Sequence, residues 1–199
     1  MAKRTIDRRI ARTRGVLQHA LTSLILKKAY EAITVEDICD AANVGRSTFY
    51  AHYTSKDDLK QRGLDEHLRV LLTERQKEAL AAPGDSRSRS LGFSLVLFEH
   101  ASDHLELYRA LVGSRGGDVS LGAIHQILSD LVRAELAATA GRSSQAMARE
   151  FLVQYVVGAY MAVLTWWLDR GAKPPPAEVD RMFRRLASDG ILADRTEIG

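Results

Sequence analysis

Arg46, Ser47, Thr48, Tyr50 and His52 bring a guanidinium, two hydroxyls, a phenol and an imidazole together on one short stretch. These donors suit phosphate oxygens and base edges. They are interleaved with Phe49 and Tyr53, four apart, which can anchor the buried side of a helix running from Arg46 to about Tyr53 and leave the donors on the opposite or leading surface. Another element must hold that helix in place. Thr34 followed by Asp37 is a variant of the capping box, and Ile38, Ala41 and Ala42 then recur at the spacing of a short buried helical face. Asn43-Val44-Gly45 fits the tight turn between two crossing helices, because asparagine tolerates left-handed backbone angles and glycine is permissive. Ser55 and Asp58 form a second capping pair and open a long helix whose first turn carries Lys56. Read together, these features describe a helix-turn-helix that meets DNA.

The run TVEDICDAANVGRSTFYAHYTSKDDL, from Thr34 to Leu59, resembles the N-terminal DNA-binding signature of the TetR family of one-component regulators, and the likeness extends over roughly Val16 to Leu64. Two positions depart from the family pattern. Asn43 stands where glycine is usual, and Gly45 stands where serine is usual, so the hydroxyl that often caps the recognition helix or touches phosphate is missing. The resemblance implies that Thr34, Tyr50, His52 and Lys56 clamp the DNA backbone. Ser47 and Thr48 would serve phosphates or bases, and Arg46 would read a guanine. It also implies a homodimeric repressor bound to a double-stranded operator and released by a small-molecule effector. The alternative is a ligand-independent or architectural DNA-binding protein, or one controlled by a protein partner.

The chain has 199 residues, 46% of them hydrophobic, enough for one or two domains with a sizeable core. Four prolines, 14 glycines and long stretches rich in Ala, Leu and Arg predict an all-α protein of about nine helices. The net charge of +3 is unevenly spread: the first 62 residues carry 12 Lys and Arg against 7 Asp and Glu. The excess is densest at Lys3, Arg4, Arg8, Arg9, Arg12 and Arg14, a segment able to neutralise phosphates or enter a minor groove, or else a solvated, frayed tail. The start, Met-Ala-Lys-Arg-Thr, lacks the apolar segment of an export signal, and the single Cys39 rules out an intrachain disulfide framework. The expected compartment is the cytoplasm, with no membrane partner. Phe151 to Leu168 is interrupted by Gln154 and Thr165 and ends in Asp169-Arg170, which favours a buried helix over a membrane span.

The expected organisation is a three-helix DNA-binding domain over residues 1–62 and an effector-binding and dimerisation domain over 63–199. Helix one should run from about Arg8 to Lys28, covering the motif with Val16, Leu17, Ala20, Leu21, Leu24 and Ile25. The long fourth helix, 56–80, should link the domains and break at the Pro-Gly-Ser cluster of residues 81–88. Beyond it, helices are expected at Leu91–His100, Leu105–Val112, Ile124–Ala140, Ser144–Arg170 and Pro176–Leu186. A mobile connection is expected over Ser114–Asp118, with Gly141 and Gly171 as left-handed caps.

Trp166-Trp167-Leu168-Asp169-Arg170-Gly171, with the proline stretch that follows, loosely resembles a TetR-type ligand and dimer domain. That likeness implies a four-helix dimer bundle, for which Leu152, Val156, Ala159, Val163, Trp167, Met182, Phe183 and Leu186 supply the apolar stripes. It places an effector cavity among Phe93, Leu97, Leu105, Tyr108, Leu111, Ile124, Leu128, Tyr155, Tyr160 and Trp166, although such residues at helical spacing equally serve as core. His100 and His104, with His125 approaching, are the one candidate metal constellation, and no Cys accompanies them. No phosphate loop and no Gly-x-Ser-x-Gly elbow occurs, so neither catalysis nor a cofactor is expected.

Overall fold

The computed structural model describes residues 2–84, 89–112, 117–139 and 146–189, whose regular elements are all helical, with no strand among them. In chain order the helices are α1 (Ala2–Ile25), α2 (Val35–Ala42), α3 (Arg46–Tyr50), α4 (Lys56–Lys60), α5 (Glu66–Ala81), α6 (Phe93–Asp103), α7 (Leu105–Val112), α8 (Gly117–Thr139), α9 (Ala146–Asp169) and α10 (Pro176–Asp189). A short 3₁₀ turn, Tyr30–Ala32, precedes α2, and a π turn, Gln61–Asp65, joins α4 to α5. The expected single fourth helix is therefore one helical run with a π turn inside it. The chain divides into two compact units, Met1–Arg69 with Arg109–Leu121, and Val70–Tyr108 with Gly122–Gly199. The division after Arg69 lies within α5.

In the first unit α1 buries Leu17, Ala20, Leu21 and Ile25, as its periodicity predicts. Val16 lies on the outer face, 39% exposed, against expectation. The helix also starts before Arg8, because nothing in the basic leader breaks it, and it stops at Ile25. In α2 the buried positions are Ile38, Cys39 and Ala42, while Ala41, expected on the buried face, is exposed. Asn43 caps α2 in the left-handed region, at φ 52° and ψ 49°. Gly45 sits at an ordinary φ of −72° and caps α3 without a side-chain bond, so the turn uses the freedom of Asn43 alone. Regular α3 ends at Tyr50. Hydrogen bonds from the His52 and Tyr53 amides to the Phe49 carbonyl, each 2.9 Å, carry the turn on to Tyr53. In the π turn Gly63 lies against α1: a Cβ there would come within 2.7 Å of the Gln18 side chain.

The second unit is organised around an aromatic chain. Tyr160 meets Phe98 at 4.7 Å, Phe183 edge-on at 5.0 Å and Phe93 at 5.8 Å, and Phe98 meets Trp167 at 5.3 Å. Polar groups trapped in this core are paired, as burial requires. The Tyr160 hydroxyl donates to the Ser94 carbonyl at 2.8 Å, and the Ser94 hydroxyl bonds to Asp180 of α10 and to the Leu91 carbonyl. Gln76 of α5 donates to Glu135 of α8 and accepts from the Phe93 amide at 3.1 Å, while the Leu91 amide also donates to Glu135 at 3.1 Å. The chain enters α6 through Leu91, at φ 55°, and Gly92, which lies against Ala79 so closely that any Cβ would collide. The left-handed Leu91 interrupts the helix, so α6 starts at Phe93 with Gly92 as its N-cap.

Helix α9 is long and apolar enough, over Met147–Asp169, to cross a membrane. Its inward face, Val153, Val157, Tyr160, Leu164, Trp167 and Leu168, is buried in the core, as expected for a core helix. Gly171 has φ 76° and closes the helix as predicted. Gly141 and residues 114–116 lie outside the described residues, whereas Gly117 and Asp118 belong to α8.

Candidate nucleic-acid interface

Phe49 is fully buried and Tyr53 nearly so, and these two anchors fix which face of the motif meets solvent. Arg46, Ser47 and Tyr50 project from the exposed side, with Thr48 and His52 half-buried beside them. Tyr50 stands edge-on to Phe49, with ring centroids 5.4 Å apart, and remains 57% exposed, so its hydroxyl is presented on a braced ring. Arg46 is not an isolated cation: its Nη2 donates to Glu36 Oε2 of α2 at 3.2 Å, and both side chains are exposed.

Two residues expected to clamp phosphate do something else in the free chain. The Lys56 ammonium donates to the carbonyls of Tyr30 (2.9 Å), Glu31 (3.1 Å) and Ile33 (2.8 Å), so all three of its N–H bonds are taken. It also lies 4.6 Å from the centre of the Tyr30 ring, whose hydroxyl donates to Asp57. Burial and the neighbouring Asp57 carboxylate both raise the Tyr30 phenol, which keeps it a donor. Thr34 is similarly committed. Its hydroxyl accepts from the Asp37 amide at 3.1 Å and its own amide donates to Asp37 Oδ2 at 2.7 Å, completing the capping box predicted from sequence, and the hydroxyl also donates to Asp37 Oδ2 at 2.7 Å. Lys28 joins Asp37 at 2.7 Å, and this contact, ahead of the Thr34 bonds, holds the Asp37 carboxyl well below the usual range. Ser55 caps α4 through the Asp58 amide, while the Asp58 carboxylate turns back to the Thr54 amide (2.8 Å) and to Arg62 (2.6 Å). The Thr34 hydroxyl and the Lys56 ammonium are therefore both bonded within the chain. Among the leader residues, Arg8, Arg9, Arg12 and Arg14 are exposed on α1, and the side chains of Lys3 and Arg4 lie outside the described residues.

In the second unit the residues assigned to effector and to dimer separate differently from the expectation. Phe93, Leu97, Tyr108, Ile124, Leu128 and Tyr160 are buried core, Leu105 is half-buried, and the Leu111 side chain lies outside the described residues. Tyr155 and Trp166, expected in the cavity, are 46% and 43% exposed on the outer face of α9. There they line a shallow apolar groove of about 430 Å³ with Val156, Ala159, Val163, Met182 and Leu186. Leu152 is exposed on the same helix. Trp167, expected in the dimer seam, is fully buried, donates its indole N–H to the Pro174 carbonyl at 2.7 Å, and has no surface to offer a second copy. Phe183 floors the groove but packs on Tyr160, so it serves the fold of one chain first. His100 Nδ1 lies 3.1 Å from the Tyr108 hydroxyl and its ring is 4.7 Å from His104. Burial raises the Tyr108 phenol. His125 turns instead to Ser129, and among the described residues no three His, Cys, Asp or Glu groups converge as metal ligands.

Residues 17–62 match the family model for bacterial regulatory proteins of the tetR family, and residues 90–189 match a model for the C-terminal region of such transcriptional regulators. The chain belongs to the TetR family. Both matched regions are those of transcriptional regulators. Among curated relatives, this TetR-family chain is 25% identical over 183 residues to YxbF of Bacillus subtilis, an uncharacterized HTH-type transcriptional regulator. That alignment covers 91% of this chain and 46% of YxbF, so the chain spans about half the length of the curated relatives it matches. Among solved structures, a TetR-family regulator from Syntrophomonas wolfei has a TM-score of 0.71 at 16% identity, covering 89% of this chain and 93% of that one. Thermus thermophilus FadR, a TetR-family repressor solved with lauroyl-CoA, has a TM-score of 0.60 at 21% identity over 89% of this chain and 94% of its own. These likenesses carry the fold.

Three features of the site escaped the sequence reading: the Glu36–Arg46 pair, the Lys56 anchor and the Lys28–Asp37 contact. Each joins residues nine or more apart on different elements. Periodicity, which reports one element at a time, carries no signal for them.

Proposed function

We propose that the chain acts in the cytoplasm as a homodimeric repressor that places one α3 from each copy in successive major grooves of a pseudo-palindromic operator. The observation that carries this reading is the exposed donor set of α3, held outward by the buried Phe49 and Tyr53. Arg46 would bond a guanine, while Ser47, Thr48, Tyr50 and His52 would fix register on phosphates and neighbouring bases. Thr34 and Lys56 would act by shaping the surface. The second copy is assigned to the apolar groove of α9 and α10, because Tyr155, Trp166, Met182 and Leu186 are large apolar side chains left in water by a single chain. The effector is assigned to the second unit and would act through the helical run 56–81, which carries the chain from one unit to the other. Lauroyl-CoA, held by the Thermus protein, makes fatty acyl-CoA the first ligand class to try.

Selection of binding sites from a pool of random duplexes tests the reading. It should enrich an inverted repeat whose half-site centres lie about 34–36 Å apart, one helical turn. Enrichment of a single unrepeated site, or of none, would defeat the dimeric operator reading. A thermal-shift panel led by acyl-CoA esters tests the effector: a binding ligand raises the transition of the second unit, and a flat panel favours a ligand-independent regulator.

A further inference from the structure

Arg46 begins α3 and Glu36 lies in the first turn of α2, and the two meet across the turn at 3.2 Å. Both side chains are well exposed, at 63% and 68%, so the pair is not held there by the core. An exposed ion pair contributes little to stability, whereas a bidentate arginine–guanine contact discriminates well between bases. Folding therefore gains little from the pair, and its position on the DNA-reading face calls for another role.

We propose that Glu36 is a specificity-determining residue that cancels the charge of Arg46 while engaging only one of its donors. The inference rests on the reading of Arg46 as a base-contacting residue. A guanidinium has five N–H donors, and Glu36 accepts one, so enough remain for a guanine edge. What Glu36 removes is the net positive charge. Arg46 and Glu36 together present a neutral head that gains from a correctly placed guanine and little from an arbitrary phosphate, which holds down binding to random DNA. A lone arginine at the same place would gain from both. Charge that attracts every duplex equally is supplied elsewhere on this unit, by Arg8, Arg9, Arg12 and Arg14 on α1.

The test compares the full chain with Glu36→Gln and Arg46→Ala by fluorescence anisotropy, on a selected operator and on a random duplex, across a salt series. Glu36→Gln keeps size and exposure while freeing the charge of Arg46. Binding of Glu36→Gln to random DNA should tighten about fivefold per head near 0.15 M salt, with its salt slope steeper by about one. Operator affinity should rise by less, so the ratio of operator to random affinity should fall. A Glu36→Gln chain whose affinity rises equally on both duplexes, or whose random-DNA slope is unchanged, overturns the proposal. Arg46→Ala separates this from the parent reading. If Arg46→Ala loses operator binding selectively while Glu36→Gln leaves the ratio intact, only the role of Glu36 fails. If Arg46→Ala affects neither duplex, or both alike, the base-reading assignment fails and the proposal with it.

Discussion

Replacing Lys56 by methionine keeps the aliphatic stem and removes the ammonium, so it isolates the three bonds that tie α4 to the Tyr30–Ile33 segment. The Glu31 carbonyl is exposed and would rehydrate, but those of Tyr30 and Ile33 are part-buried and would lose a charged donor. A hydrogen bond to a charged group contributes about 1.5 kcal/mol or more, so the two part-buried carbonyls put the expected local loss near 3 kcal/mol. Both tryptophans, Trp166 and Trp167, lie in the second unit, so their fluorescence reports little about this change. Hydrogen exchange resolved to α2 is the suitable assay. A loss of 3 kcal/mol should speed exchange at Ile38–Ala42 roughly a hundredfold, since each 1.4 kcal/mol is a factor of ten. If exchange changes less than threefold while the salt slope of DNA binding falls by about one, Lys56 is a phosphate contact and its internal bonds are incidental.

Gly92→Ala should destabilise the second unit by about 1–3 kcal/mol, because the new methyl meets Ala79, and tryptophan-monitored urea unfolding measures it; an unchanged midpoint would show that α5 and α6 have room to part. Leu186→Glu, at the exposed lip of the groove, should convert a dimer to a folded monomer by sedimentation and weaken operator binding through lost avidity. A variant still dimeric at micromolar concentration would move the seam elsewhere. Asp180→Asn should be at least as stable as the parent near neutral pH. Burial, opposed by the Ser94 bond and by Arg184, raises the Asp180 carboxyl, so its stabilising protonated form is lost as pH climbs through the folded pKa. The difference between the two chains should shrink as pH falls toward about 4, the ordinary carboxylate range, and a gap that widens on acidification would reverse the sign.

Local chemistry in this chain was legible because it is written in neighbouring residues. The Thr34–Asp37 capping box, the left-handed Asn43, the Phe49 and Tyr53 anchors and the Gly171 cap each depend on spacings of four or fewer. Helix existence was legible for the same reason, and boundaries moved where the folded backbone decided them, as the left-handed Leu91 does at the start of α6. The division of apolar residues between core and surface was not legible on α9. That helix is apolar nearly all round, so no stripe in the sequence distinguishes Trp166, which is exposed, from Trp167, which is buried. The Lys56 anchor was not legible either, because its partners, the Tyr30–Ile33 carbonyls, lie 23 or more residues away in the chain.

The central claim is that α3 reads sequence through Arg46, and the most direct test is the affinity of the Arg46→Ala chain for the selected operator and for a random duplex at one salt concentration. The account predicts a loss of about 1–3 kcal/mol on the operator and much less on random DNA. Equal losses on both duplexes would contradict it, because Arg46 would then be a phosphate contact and the sequence would be read elsewhere.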